Sequence, residues 1–250
     1  MNKHILKFEF KSLLNNYSVL FFGLFFPIIL TSLITIGVTK NIPLAYLNDV
    51  KLSILYRINI ISPISIFLIG LASVFAKDLE EGVYDRLELF SISHLKMAKY
   101  KFFVYFLYWF VCNAIYFIVM PNVLDIDIEF ISIVKHTCFI VILATTMFLF
   151  SYGLSLFTKN YSIAFGTTMV MYFMIIILSG MMGVEVDDLP NFINKIAKIL
   201  PTAHFSSQDY LSEISASGRL NYSFLQNLLV FLLIALIFFL ASIYKSKRKN

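Results

Sequence analysis

The stretch FLQNLLVFLLIALIFFL, Phe224 to Leu240, carries no charge, and from Leu228 onward it carries no polar side chain. A barrel strand in lipid alternates polar and apolar residues over about 10 positions. This run is continuous instead, and the hydrocarbon core of a bilayer, about 30 Å thick, takes about 20 apolar residues in a helix. Read as a transmembrane helix over Phe224 to Tyr244, it makes sense of the rest of the chain. Five further runs of the same kind lie upstream, at Ser18 to Val38, Leu52 to Phe75, Phe102 to Met120, Ile133 to Phe157 and Ser162 to Met182. The 250 residues are 59% hydrophobic and only 14% charged, with a mean hydropathy of +0.82, where soluble domains carry about 25% charge. Such a chain cannot clothe itself in polar surface, so lipid is its solvent. The expected fold is an all-α membrane protein of six transmembrane helices, one transmembrane domain over residues 1–250. The second run is the least regular, because Arg57 and Asn59 fall in its first half; Arg57 is expected either to snorkel outward or to mark a later start.

Charge placement orients the bundle. With the N-terminus in the cytoplasm, 13 of the 20 Lys and Arg fall on inside segments, and 9 of the 15 acids fall outside. The positive-inside rule then puts both termini in the cytoplasm of a cell (plasma) membrane protein. The terminal Lys245-Ser246-Lys247-Arg248-Lys249 cluster reads as a topology and lipid anchor, not a nucleic-acid site. The first apolar run is long and lacks a small-residue cleavage site, so it reads as a retained helix. Cys112 and Cys138 show no CxxC spacing and are expected to be small buried hydrophobes.

What the spans lack excludes function classes. No Asp or Glu lies in the middle of a run, although ion-coupled transporters and proton pumps keep such residues to hold the coupling ion. Neither paired acids nor an HExxH is present for an intramembrane protease. Lys135 and His136 sit only at the outer end of the fourth run. No GxxxxGK[ST] phosphate loop occurs, so the chain is expected to bind no nucleotide, metal or other cofactor and to be no enzyme itself. An intramembrane enzyme and a channel or secondary transporter remain as alternatives from other classes.

Three segments outside the spans carry the mechanistic signal. In residues 1–17, Leu6, Phe10, Leu13, Leu14 and Tyr17 repeat at helical spacing while Lys3, Lys7 and Lys11 mark another face, the pattern of an interfacial helix on anionic headgroups. The cytoplasmic loop 76–101 opens on Asp78, Glu80, Glu81 and Gly82. Val83, Leu87 and Phe90 then fall on one face of a short helix, with Asp85, Arg86 and Glu88 elsewhere, a pattern suited to docking into a groove of a soluble partner. The outer segment 183–223 starts with Glu185, Asp187 and Asp188, which read as capping charges more readily than as cation ligands. Asp188 is placed to cap a helix with Pro190 in its first turn, and Leu189, Phe192, Ile193, Ile196 and Ile199 form its apolar face. This helix would lie on the outer leaflet or cap an exit path. The fifth run holds Met169, Met171, Met174, Met181 and Met182, flexible side chains that suit varied apolar ligands. Met171 and Met174, with Thr167, are the candidate cargo path.

The loop Asp78-Leu79-Glu80-Glu81-Gly82-Val83-Tyr84-Asp85-Arg86-Leu87, with Ser91-Ile92-Ser93 and Lys99 after it, resembles that of ABC transporter type-2 permeases. Those read E-x-x-x-G-T-x-E-x-L, then a Ser-Pro turn and a basic residue; Val83 stands where Thr is common and Ile92 near the usual Pro. The likeness extends to the interfacial N-terminal helix, the six spans, and Ser179-Gly180, Leu189-Pro190 and Leu200-Pro201-Thr202-Ala203-His204 after the fifth. It implies a type-2 ABC exporter fold, a dimer with a second permease copy or paralogue, and two copies of an ABC ATPase subunit that binds ATP and Mg. It also implies a coupling helix built from Glu80, Glu81, Gly82, Val83, Asp85, Leu87 and Phe90, and a two-state switch of the spans. The compact chain is similar to permeases of bacterial peptide export and immunity systems, including those for lantibiotics and phenol-soluble-modulin-type peptides. Amphipathic peptides, such as toxins and bacteriocins, are therefore the first expected cargo, before drugs or lipids.

Overall fold

The computed structural model describes residues 3–40, 42–90, 92–181, 190–207, 209–219 and 221–247. Among them the regular structure is all helical, in eleven main segments, with the four-residue helix Tyr17–Leu20 leading directly into the second. These are α1 (Lys3–Leu14), α2 (Phe21–Thr39), α3 (Leu44–Glu80), α4 (Val83–Glu88), α5 (His94–Leu124), α6 (Phe130–Thr158), α7 (Tyr161–Leu178), α8 (Asn191–Ile199), α9 (Pro201–His204), α10 (Tyr210–Ile214) and α11 (Tyr222–Lys247). The six long apolar ones, α2, α3, α5, α6, α7 and α11, match the six runs read from sequence, and the chain is a multi-pass membrane protein. An even number of crossings puts α1, α4 and the end of α11 on one face, called here the terminal face, and α8 to α10 on the opposite face.

α3 is the mast of the bundle. In its most apolar stretch 89% of residues are buried, against 22% in α2 and α11, so the other spans wrap around it and turn their remaining sides to lipid. At 37 residues it is far longer than the run Leu52 to Phe75, and at 1.5 Å per residue it reaches about 55 Å, beyond the hydrocarbon on both sides. Pro63 lacks the N–H a regular turn needs, and the helix widens into a π-helical stretch over Ile64–Gly70 directly after it. α2 widens likewise at Phe21–Phe25. The two widened stretches cross where glycine removes bulk. A Cβ on Gly23 would stand 2.8 Å from Ile66, and one on Gly70 would collide with Val19, the close backbone approach that small residues permit between membrane helices.

Polar side chains then fasten the spans to one another. Ser62 donates to the Gly23 carbonyl at 2.6 Å, and Tyr116 of α5 donates to the Leu55 carbonyl at 2.9 Å while meeting Thr31 of α2 at 2.8 Å. Ser151 and Ser155 of α6 reach the carbonyls of Leu68 and Ala72 on α3. In lipid such bonds between helices are worth about 0.6 kcal/mol each on average.

Arg57 neither snorkels to water nor starts the helix. It stays inside α3, half-buried, and donates to the Ser206 carbonyl at 2.9 Å, so the segment after α9 comes down to meet it. Lys51 caps the end of α5 through the Leu124 carbonyl at 2.6 Å, a cation at the negative end of a helix dipole. Lys135 bonds the carbonyls of Ser215 and Gly218. These three cations of the opposite face are thus absorbed by backbone oxygens. Of the two cysteines, Cys112 is buried as expected, but Cys138 is exposed on the lipid side of α6.

Candidate functional site

Between α1 and α2 on one side and α3 and α7 on the other opens a cleft of about 1710 Å³. Its inner walls are apolar: Phe22, Phe26, Leu30 and Ile34 from α2, Ile69 and Val74 from α3, Phe165, Met169 and Phe173 from α7. Its mouth, on the terminal face, is polar: Lys11, Ser12, Asn15 and Asn16 beside α1, Lys77, Asp78, Glu80 and Glu81 at the end of α3. An apolar interior with a charged rim is complementary to a molecule with one greasy side and one polar side.

The α7 residues in that wall differ from those expected. Phe165, Met169, Tyr172, Phe173 and Ile176 recur at three- and four-residue steps and share one side of the helix. Thr167, Met171 and Met174 are also spaced to share a side, but it is the other one, and none of the three lines the cleft. Thr167 and Met174 are exposed and Met171 is half-buried against the core. Among the described residues, Met169 of α7 and Met181 just past its end are the methionines of the fifth run that line the cleft. Which side of a helix meets the neighbouring spans is not set by the methionine count.

The loop after α3 is built on Gly82, whose φ of +66° lies in the left-handed region that glycine enters without strain. It ends α3 and serves as the N-cap position of α4. Within α4 the inward side is Val83, Tyr84 and Leu87: Tyr84 is fully buried, stacked edge-on against Phe75 at 4.8 Å, and Val83 and Leu87 pack half-buried against the core. Val83 and Leu87 therefore do not share an outward face with Phe90. The apolar pair that faces outward is Leu89, 84% exposed, and Phe90, 76% exposed, just past the end of the helix, with exposed Asp85 and Arg86 before it. Leu89 escaped the sequence reading because it was assigned to no face. Glu81 holds Lys77 one turn back at 3.8 Å in an exposed pair, worth little by itself. The Glu80 carboxylate accepts the backbone N–H of Tyr161 at 2.7 Å and the Asn160 amide at 3.4 Å. It supplements Asn160, whose own side chain caps α7 at the N–H of Ile163. Its bonds commit Glu80 to α7.

Two buried polar clusters were invisible in the sequence. Lys101, at the start of α5 and 0% exposed, donates to Glu9 of α1 at 2.7 Å and to Asp78 of α3 at 3.1 Å. Burial pushes the Glu9 carboxyl above the usual carboxylate range, opposed by the adjacent ammonium. On α1 the buried side is Ile5, Glu9 and Leu13, while Phe8, Phe10 and Leu14, and Tyr17 beyond its end, are exposed. Of the apolar residues placed on one face, Leu13 thus turns into the protein while Phe10, Leu14 and Tyr17 turn outward. At the opposite face His136 of α6 is fully buried. Its Nε2 meets Asn59 Oδ1 at 3.1 Å, which makes that nitrogen the donor, and its Nδ1 then accepts from the Tyr210 hydroxyl at 2.6 Å. These bonds pin α10 onto α3 and α6.

In α8 the side chains of Phe192, Ile193, Ile196 and Ile199 are exposed and Ala197 is buried. Pro190 occupies the N-cap position instead of the first turn, and its side chain makes no cap hydrogen bond. Glu185, Asp187, Asp188 and Leu189, with Met182, Ser91, Arg248 and Lys249, lie outside the described residues.

Residues 46–244 match the family model described as ABC-2 family transporter protein. The matched stretch holds the loop around Gly82 and five of the six spans, and leaves out α1 and α2. No curated protein and no solved structure matches the chain.

Proposed function

From the membership of this chain in the ABC-2 transporter family, which makes it a membrane permease working with an ABC ATPase partner, we propose that it exports amphipathic peptides. ATP and Mg are bound and hydrolysed in the separate subunit, two copies of which dock on the terminal face, taken as cytoplasmic, of a permease dimer. The observation that carries this reading is the cleft beside α3: an apolar interior reached through a charged mouth on the face where the ATPase would sit. A helical peptide with one apolar side fits such walls, and it needs no fixed acid at mid-membrane, where the six runs carry no Asp or Glu. Docking is assigned to Leu89 and Phe90, the exposed apolar end of the α4 segment, with Glu81 and Asp85 as the charged rim.

The test is transport by the purified permease–ATPase complex in vesicles, with a fluorescent amphipathic helical peptide as probe and a fluorescent phospholipid as competitor. Ile69→Trp or Met169→Trp, which fill the cleft, are expected to stop ATP-dependent peptide movement, and Met174→Leu on the other side of α7 to leave it unchanged. Movement of the lipid with none of the peptide would reject the cargo assignment in favour of lipid export.

A further inference from the structure

We propose that Asp78 and Glu80 are positioning residues that make the last turn of α3 a two-armed strut, so that displacement of the coupling loop moves both walls of the cleft. The inference rests on the transporter reading above. The two carboxylates are two positions apart, at the point where α3 runs into Gly82 and α4, and they hold different partners. Glu80 grips the first N–H of α7 at 2.7 Å. Asp78 takes the ammonium of Lys101 at 3.1 Å, and the same ammonium holds Glu9 of α1 at 2.7 Å. One arm therefore ends on α7, which supplies Tyr161, Phe165 and Met169 to the cleft. The other ends on α1, which supplies Phe8, Lys11 and Ser12 to the wall opposite.

Energetics argue that the second arm has a purpose beyond holding the fold. Lys101 and Glu9 are both 0% exposed. A buried ion pair recovers its desolvation cost only with excellent geometry, and apolar residues of similar volume often stabilise a fold as well or better. The network is also unbalanced, with two carboxylates on one ammonium, and Glu9 Oε1 has no hydrogen-bond partner among the described residues. An ionic tie is short and directional, and it transmits a shift of one helix to the next where an apolar contact would slip. The first arm is a charged acceptor on a helix N-terminus, where the dipole adds to the hydrogen bond.

Each arm has its own reporter. On a background with both cysteines replaced by Ala, Met169→Cys reports on the α7 wall and Ser12→Cys on the α1 wall. Maleimide labelling is compared in the ATPase complex with and without vanadate-trapped nucleotide. Trapping is expected to change both rates. Glu80→Ala shrinks the change at Met169→Cys about threefold or more and spares Ser12→Cys; Glu80→Gln, which keeps an acceptor for Tyr161, restores part of it. The paired change Glu9→Leu with Lys101→Met, which removes both fully buried charges and leaves only Asp78, 15% exposed, without its cation, does the reverse. Glu9→Gln is the milder variant if the pair fails to fold. Loss of both responses in either variant means a purely structural role, and no loss in either means the arms transmit nothing; both results overturn the strut. A background complex that contains no ATPase, or does not respond to nucleotide, rejects the transporter reading itself and the strut with it.

Discussion

Two single residues test how much the loop and the opposite-face lock depend on local geometry. Gly82 has a φ of +66°, and a Cβ there would meet only Asp85 Oδ2 at 3.7 Å, so space is not the obstacle. Gly82→Ala is expected to cost about 1–2 kcal/mol of left-handed strain, read as a lower unfolding temperature in detergent, with weaker ATPase co-purification because α4 starts at the wrong angle. Tyr210→Phe removes the donor to His136 Nδ1 and leaves a buried ring nitrogen unsatisfied, for about 1–3 kcal/mol. Burial holds the Tyr210 hydroxyl protonated well above the usual phenol range, so this donor persists at any pH at which the protein is handled. The sequence displayed the glycine, since Glu-Gly between an apolar run and an amphipathic hexamer marks a helix end. It did not display the histidine bond, because Tyr210 and Asn59 lie 74 and 77 positions from His136. Lys101 was hidden in the same way, its first partner standing 92 positions away.

At the scale of elements, α4 separates a folding face from a docking face, and the two give opposite results. Leu87 packs against the core and Phe90 does not. Leu87→Ala is therefore expected to lower stability, by up to about 2 kcal/mol for a half-buried leucine. Phe90→Ala is expected to stay within about 0.5 kcal/mol of the parent protein and yet to weaken ATPase retention on an affinity column. Equal unfolding temperatures with equal retention would remove Phe90 from the docking surface. Helical periodicity placed Val83, Leu87 and Phe90 on one face because it assumed a helix running through to Phe90. The helix stops at Glu88, and past that point spacing no longer fixes direction. Long elements were more legible: six runs gave six spans, since the demand for about 20 apolar residues is set by the bilayer and not by neighbours. Their ends were less so. α3 exceeds its run because residues outside the hydrocarbon stay helical under packing and capping, which hydropathy does not register.

For the whole molecule, the surfaces at the two ends of the bundle decide which way it stands. The terminal face carries Lys3, Lys7 and Lys11 of α1, Lys96 and Lys99 of α5 and Lys245 of α11; on the opposite face Lys51, Arg57 and Lys135 are bonded to carbonyls. Lysines and arginines resist translocation and favour anionic lipid, and 13 of the 20 lie on the segments of the terminal face, so that face should remain in the cytoplasm. A membrane-impermeant maleimide applied to intact cells tests this on a cysteine-free background. Phe90→Cys is expected to stay unlabelled until the membrane is permeabilised, whereas Tyr222→Cys, on a side chain 85% exposed at the opposite face, reacts at once. The two positions are chosen because each is exposed, so protection at Phe90 reports the membrane and not burial. Labelling of Phe90→Cys from outside would put the coupling loop out of reach of ATP, and the cleft mouth beside it could then receive nothing from the cytoplasm.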